Sequence, residues 1–307
     1  MAAEDRTSVA QSAQADWTAP LALTLAALFW SGNFIAGRAL RDDIDPVTLN
    51  TLRWALAALL FLPFVAPACR AHADAIRHQW RYLLALGATG IAAFHTTVYV
   101  ALTQTTATNA LLVLALAPAA ILLGAALTGA NRPTPLQWAG SALSLLGAAV
   151  LVTQADIDVL RALAFNPGDL WMLAAVVIWA AYSLLLQRRP QELPPTVALA
   201  ASMGFGVVLM LPAMVILQPV AHLPVNTGFI GALAYIVVFP SVLAFWLWGY
   251  GVARLGPARA GQFIHLMPVF GPVLAMVILG ERIVAAQLAG AAIVFAGIAA
   301  VLLGARK

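Results

Sequence analysis

The polar and aromatic side chains suited to binding a small molecule lie near the middle of long apolar segments. Trp30 and Asn33 are three residues apart, and Trp179 and Tyr182 repeat that spacing, with Ser183 beside them. Side chains three residues apart share one face of a helix. The sequence therefore predicts two related faces that offer aromatic surface and hydrogen bonds to a ligand. The alternative is aromatic packing between helices.

Two histidines extend this candidate binding set. His95 and Tyr99 are four residues apart in one apolar segment, and Gln262 and His265 are three apart in another. An unpaired ring nitrogen in hydrocarbon is costly, so each histidine is expected to face protein or water. Each one either lines the binding site or makes an interhelical hydrogen bond.

Charged groups are scarce in the apolar segments, which excludes several kinds of membrane protein. No Asp or Glu lies in the central part of any segment, and Arg53 is the deepest basic residue. An intramembrane aspartyl dyad is therefore excluded, and the single lysine at the C-terminus excludes a retinal-type Schiff base. Motifs for zinc hydrolysis, ATP binding and metal ligation are also absent from the sequence. We expect Arg53 to pair with Asp42, Asp43 and Asp45 in preference to contacting substrate.

The apolar segments are long enough to cross a membrane. Of the 307 residues, 63% are hydrophobic and 9% are charged, against about a quarter charged in soluble domains. A spanning helix needs about 20 apolar residues. The predicted helices cover residues 19–40, 47–66, 81–102, 107–128, 135–153, 168–187, 195–218, 227–250, 257–279 and 283–304. The sequence predicts an all-α integral membrane protein with ten transmembrane helices.

The basic residues predict how the chain is oriented in the bilayer. If the N-terminus is cytoplasmic, eleven of the 16 Lys and Arg residues fall on the cytoplasmic side, in accord with the positive-inside rule. We expect a multi-pass protein of the inner or plasma membrane with both termini cytoplasmic. Residues 1–18 form a disordered tail and residues 305–307 the cytoplasmic C-terminus. The basic residues are scattered through connectors, so nucleic acid is not an expected partner.

The chain contains an internal repeat at an offset of about 150 residues. The aligned pairs are Pro118 and Pro268, Arg132 and Arg282, Gln137 and Gln287, Gly140 and Gly290, and Gly147 and Gly297. The repeats cover residues 19–153 and 168–304, with an extracytoplasmic connector at 154–167. Because five helices are an odd number, the second copy enters the membrane from the opposite side. Inverted repeats of this kind are typical of secondary transporters with a site near the midplane.

Proline and glycine positions predict which helices bend and which pack closely. Pro118 and Pro268 lie near the centres of the fourth and ninth helices, where each removes a backbone hydrogen bond. They are either bending points for gating or fixed kinks required for packing. The aligned glycines of the fifth and tenth helices permit close backbone approach, which predicts a scaffold and a homodimer contact there. Trp246, Trp248 and Tyr250 are interpreted as an interfacial aromatic belt.

Three stretches of the sequence are similar to a known family. They are LAALFWSGNFIAGRAL, ATNALLVLALAPAAILLGAAL and ARAGQFIHLMPVFGPVLAMVILGERIVAAQLAGAAIVFAGIAAVLL. These stretches resemble the EamA type of the drug/metabolite transporter superfamily, and the resemblance covers the chain after its N-terminal tail. In the first copy, GANR stands where the family often has an acidic turn. The resemblance implies ten helices around a central cavity, often in exporters of amino acids and related metabolites.

These observations predict a secondary transporter that works by alternating access and has no catalytic activity or cofactor. Paired aromatic faces without a fixed midplane charge suit a small zwitterionic or amphipathic substrate, with bulky or aromatic amino acids favoured. Export is implied by the resemblance alone. The alternatives are a passive channel or facilitator for other solutes and a proton-coupled drug exporter. In the last case His95 or His265 would carry the proton, since histidine ordinarily has a pKa of about 6.5.

Overall fold

The computed structural model describes residues 17–40, 44–129, 132–163, 166–217, 223, 226–279 and 282–304, and all regular secondary structure in these ranges is helical. The long helices are α1 Thr18–Leu40, α2 Pro46–Ala71, α3 Trp80–Leu102, α4 in two segments Ala107–Leu114 and Ala117–Leu127, α5 Pro135–Thr153, α6 Pro167–Gln187, α7 Pro195–Leu217, α8 Thr227–Leu255, α9 in three segments Pro257–Gly261, Gln262–Leu266 and Met267–Leu279, and α10 Ala285–Leu303. Short helices Ala73–His78 and Ile157–Arg161 lie in two connectors. The predicted all-α fold is confirmed.

Among the described residues, nine helices are long and apolar enough to span a membrane, with the two segments of α4 counted together as Thr108–Leu127. The tenth, α9, reaches that length only as a composite, because the 3₁₀ segment Gln262–Leu266 interrupts it. The helix α2 continues to Ala71, past the predicted end at residue 66. The predicted end rests on the length of the apolar run alone. The backbone, however, remains helical past Arg70, and His72 is the C-cap residue.

The helices pack in pairs that follow the repeat. The contact of α3 with α6 has its counterpart in the contact of α8 with α1, and α4 against α6 corresponds to α9 against α1. The pairs α2 with α7 and α5 with α10 each join equivalent helices of the two copies. The predicted inverted five-helix repeats are confirmed, and α1, α3, α6 and α8 meet between them.

Both α3 and α8 contain a π-helical segment that the sequence did not reveal. The segments are Gly87–Ala93 and Val237–Leu243, which are 150 residues apart and so occupy equivalent positions in the repeat. Such segments widen a helix locally and are frequent at functional sites. In α3 the absence of a side chain at Gly90 allows close packing against α6, because a Cβ there would lie 2.4 Å from the ring of Tyr182. The π segments thus shape the centre of the protein.

The helices α4 and α9 are broken immediately before the two aligned prolines. Pro118 is the second residue of Ala117–Leu127, and Pro268 is the second residue of Met267–Leu279. Proline fits the first turn of a helix because that position needs no N–H donor within the helix. The breaks lie at equivalent depths in the two repeats. The role of these breaks in gating remains a prediction.

The glycine-rich faces of α5 and α10 pack against each other within one chain. A Cβ at Gly140 would lie 2.7 Å from the carbonyl oxygen of Gly297, and one at Gly147 would lie 2.8 Å from that of Gly290. These faces are therefore occupied, and a homodimer through α5 and α10 would have to use their exposed faces, which carry Leu146. The homodimer itself remains a prediction.

Candidate substrate-binding cavity

A cavity of about 550 Å³ lies between the two repeats. It extends from aromatic side chains in the middle of α1 and α6 to the ends of α3 and α4, where Thr103 and Thr106 are exposed. Its walls are mostly apolar, and its size is within the range typical of small-molecule sites, about 300 to 1,000 Å³. Five of the predicted binding residues line it: Trp30, Asn33, His95, Tyr99 and Trp179.

Packed aromatic rings close the deep end of the cavity. The ring centroids of Trp30 and Trp179 are 5.2 Å apart, and both rings also contact Phe245 and Trp248 of α8. The indole Nε1 of Trp30 donates to the carbonyl oxygen of Pro240 at 3.1 Å, inside the π segment of α8. Beyond this aromatic floor is a cavity of about 30 Å³ lined by Phe245 and Tyr182, among others. The floor thus separates two cavities.

The interpretation of Trp248 as part of an interfacial belt is wrong. Trp248 is 1% exposed and its ring centroid lies 5.4 Å from that of Trp30, whereas Trp246 is 42% exposed. Residues two apart on a helix point to nearly opposite sides, since each residue turns the helix by about 100°. The belt interpretation suits Trp246, while Trp248 belongs to the aromatic floor. Sequence reasoning also missed Phe245, which shares the face of Trp248 at a three-residue interval.

Arg53 is fully buried and lies behind the polar wall of the cavity, which is formed by Asn33 and Tyr99. Its Nε donates to the hydroxyl of Ser241 at 2.9 Å, and one terminal nitrogen donates to the hydroxyl of Tyr99 at 3.1 Å and to Oδ1 of Asn33 at 3.4 Å. The guanidinium also lies over the ring of Trp54, with 5.3 Å between its central carbon and the ring centroid. The second terminal nitrogen has no hydrogen-bond partner among the residues that the structure describes.

The expected pairing of Arg53 with the acidic cluster is not found for Asp45. That carboxylate caps the N-terminus of α2, where one of its oxygens accepts from the backbone N–H groups of Val47 and Thr48, each at 3.0 Å. Asp42 and Asp43 lie outside the described residues. Among the described residues, the side-chain ion pairs are short-range surface contacts that do not include Arg53.

His95 and Trp179 line the cavity, while Nδ1 of His95 and Nε1 of Trp179 are themselves buried. The His95 ring is buried between Trp54, Phe94 and Phe245, with centroid separations of 5.9, 4.9 and 5.9 Å. The indole Nε1 of Trp179 finds no hydrogen-bond partner among the described residues. Burying a donor without a partner is costly.

Tyr182 and Ser183 do not line the cavity. Tyr182 packs beneath Trp179, with ring centroids 5.2 Å apart, and the hydroxyl of Ser183 donates to the carbonyl oxygen of Trp179 at 2.9 Å. The reason lies in the inverted repeat, because α1 and α6 cross the membrane in opposite directions. Three residues onward from Trp30 therefore leads towards the cavity, whereas three onward from Trp179 leads away from it.

Gln262 and His265 are buried between helices and do not line the cavity. His265 Nε2 donates to the carbonyl oxygen of Ala115 at 2.8 Å, so its Nδ1 accepts from the hydroxyl of Ser144 at 2.7 Å. Oε1 of Gln262 lies 3.2 Å from the oxygen of the same hydroxyl, which has a single proton to donate. Ala115 lies at the break in α4, where a carbonyl freed from the helix needs a donor. Of the two alternatives for His265, the structure shows the interhelical hydrogen bond.

The sequence profile of the EamA-like transporter family matches residues 17–153 and 166–303. An uncharacterized transporter of Bacillus subtilis, YyaM, is 25% identical over 272 residues, covering 88% of this chain and 89% of the relative. A probable terminal-alkyne amino-acid exporter of Streptantibioticus cattleyicolor is 29% identical over 279 residues, covering 90% of this chain and 91% of the relative.

Two further comparisons agree with these. A probable amino-acid metabolite efflux pump of Salmonella typhimurium is 27% identical over 170 residues, covering 53% of this chain and 56% of the relative. A solved crystal structure superposes with a TM-score of 0.77 at 24% identity over 94% of this chain and 98% of the other, which shows the shared fold. With both repeats matched by the family profile, the chain belongs to the EamA-like transporter family, and it is a membrane-embedded transporter.

Proposed function

We propose that this transporter exports small amphipathic metabolites, with bulky or aromatic amino acids as its preferred substrates, by alternating access. The observation that carries the proposal is the cavity of about 550 Å³ between the repeats, in which Trp30 and Trp179 meet at the closed end. Tryptophan faces bind apolar or aromatic side chains by burial and by ring stacking. The polar groups Asn33, His95 and Tyr99 on the adjoining walls suit the amino and carboxyl groups of such a substrate.

The composition of the cavity wall supports transport without ion coupling. None of the described residues that line the cavity is Asp or Glu, and intramembrane carboxylates are the usual sites of coupling protons or sodium ions. His265 is engaged by Ser144 and Ala115 outside the cavity. The substrate therefore moves down its own gradient, and efflux follows from its accumulation in the cell.

The names of two relatives support amino-acid export as the direction and substrate class. One is a probable terminal-alkyne amino-acid exporter that aligns along 90% of this chain, and another is a probable amino-acid metabolite efflux pump. Both are less than 30% identical to this chain, so they support the class of substrate rather than a particular compound.

Transport of aromatic amino acids tests the proposal. In proteoliposomes, counterflow of labelled L-phenylalanine is expected to be saturable, and Trp179→Ala is expected to weaken its apparent affinity several-fold, since an aromatic contact contributes about 0.5 to 1.5 kcal/mol beyond area burial. The matched control is Trp246→Ala, because Trp246 is on the exposed face of α8. Equal affinities in the two variants, or counterflow that is absent for a full panel of amino acids, would contradict the proposal. Flux that fails to saturate would indicate a channel.

The proposed orientation places both termini in the cytoplasm and the cavity mouth on the outer side. Cys69, the single cysteine, then lies at the cytoplasmic end of α2, where it is partly exposed. An impermeant maleimide is expected to label it only after cell lysis, while a cysteine at Asp158 in a Cys69→Ala background is labelled in intact cells. The reverse pattern of labelling would show that the orientation is inverted.

A further inference from the structure

The charge of Arg53 is not neutralised by the described part of the protein. Its side chain is fully buried. Within the described ranges, one terminal nitrogen has no partner and the other donates only to neutral oxygens. A buried cation without a counter-charge is costly and, within a membrane, usually faces a ligand path or a watered cavity. The structure thus holds a fixed positive charge directly behind the cavity wall.

The two neighbouring carboxylates that the structure describes are held by other donors. Asp45 caps α2 through the backbone N–H groups of Val47 and Thr48. Asp169, at the start of α6, accepts from the hydroxyl of Thr105 at 2.6 Å and from the backbone N–H of Asn166 at 3.1 Å. Neither is placed to neutralise the guanidinium.

Arg53 also fixes the direction in which the cavity wall donates hydrogen bonds. Because a guanidinium only donates, the Tyr99 hydroxyl oxygen and Asn33 Oδ1 must act as acceptors towards it. The phenolic proton of Tyr99 and the amide protons of Asn33 are therefore left for other acceptors, and both side chains line the cavity. The wall presents donors backed by a positive charge, which is the arrangement that binds a carboxylate in charge-assisted hydrogen bonds.

The position of this wall relative to the aromatic floor suits one kind of substrate. Asn33 is three residues from Trp30 on the same helix face, and Tyr99 is four residues from His95, so donors and aromatic rings border the same space. We propose that Arg53, Tyr99 and Asn33 form a carboxylate-recognition subsite, with Arg53 as the positioning residue that charges the wall and orients the two donors. The substrate is then a carboxylate whose apolar part rests on the tryptophans, and organic cations are excluded. This inference rests on the proposed function, since it assigns its substrate class.

The test compares an acid with its neutral amide of the same shape. Purified full-length protein in detergent is titrated calorimetrically with 3-phenylpropanoate and with 3-phenylpropanamide. The wild-type protein is expected to bind the acid at least tenfold more tightly. Arg53→Gln is expected to weaken acid binding about 10- to 100-fold, as for hydrogen bonds to charged groups, and to leave amide binding within about twofold. Arg53→Lys is expected to keep part of the preference for the acid. Arg161→Gln is a surface control, since Arg161 pairs with Asp158, and it is expected to keep the whole preference.

Loss of a purely structural side chain would weaken acid and amide binding alike, so the acid-to-amide ratio separates recognition from folding. If Arg53→Gln does not yield folded protein, Tyr99→Phe removes the oriented hydroxyl while keeping the ring, and it is expected to lower the ratio about five- to tenfold. A ratio that is unchanged in every folded variant, or wild-type protein that binds the acid no more tightly than the amide, overturns the subsite.

The acid-to-amide binding ratio tests the subsite and the transport assay tests the proposed export, so either proposal can be refuted without the other. An Arg53-dependent acid preference without counterflow of any amino acid would refute the proposed export while leaving the subsite in place. Saturable counterflow of amino acids without an Arg53-dependent preference would refute the subsite alone.

Discussion

Replacing Gly297 with leucine is expected to destabilise the protein by about 3 kcal/mol or more, which is the upper range for overpacking a close contact. A Cβ at this position would lie 2.5 Å from the backbone nitrogen of Ser144 and 2.6 Å from the carbonyl oxygen of Gly140. Because these atoms belong to the backbone of α5, no side-chain rotation relieves the overlap, and the two helices must separate. Ser144 of α5 also bonds to His265 of α9, which donates to Ala115 at the break in α4, so a shift of α5 reaches that break.

Thermal melting of the detergent-purified protein, followed by size-exclusion chromatography, measures this effect. Gly204→Leu is the matched control, because a Cβ at Gly204 on α7 meets no atom within 4 Å. The control is expected to melt with the wild type. If Gly297→Leu is as stable as the control, the close packing of α5 against α10 is not what holds the two repeats together.

Replacing Phe245 with alanine is expected to reduce counterflow about tenfold or more and to let retained substrate leak from the vesicles. Phe245 is 1% exposed, and its ring contacts Trp30, Trp54, Trp179 and Tyr182 at centroid separations of 4.8 to 5.8 Å. Truncating a buried phenylalanine costs about 3 to 5 kcal/mol. Here the lost ring also separates the large cavity from the small one beyond it. Joining them removes the barrier on which alternating access depends.

The measurement is counterflow of labelled L-phenylalanine together with its passive efflux from preloaded proteoliposomes. Phe295→Ala serves as the control, since Phe295 on α10 is 55% exposed and its loss leaves the aromatic floor intact. Leak equal to that of the control, at matched protein content, would show that Phe245 does not seal the cavity.

The structure agrees with the sequence most closely where the evidence is local. The ten helices follow from apolar run length, because a bilayer imposes one minimum length on every spanning segment. The breaks in α4 and α9 fall beside Pro118 and Pro268, since proline has no N–H to bond to the preceding turn of a helix. Trp30, Asn33, His95, Tyr99 and Trp179 were placed together by helical spacing and depth, and all five line one cavity.

The agreement is weaker where the evidence depends on which helices meet. Gln262 and His265 have the same polar character and depth as the cavity residues, yet they bond to Ser144 and Ala115 in neighbouring helices. Helical periodicity gives the face of a residue but not the partner that face meets. The same limit applies to the glycines of α5 and α10, whose spacing indicated close packing without showing that the partner is within the chain.

The sequence by itself determined the membrane class, the number of helices, the inverted repeat and the family resemblance, because each depends on composition or on comparison of residues along the chain. Only the tertiary structure decided which polar groups face the cavity. Arg53 meets Ser241 across 188 positions of sequence, and the opposite directions of α1 and α6 turn Asn33 towards the cavity and Tyr182 away from it. Contacts between distant segments arise when the helices pack, and helical spacing within one segment carries no information about them.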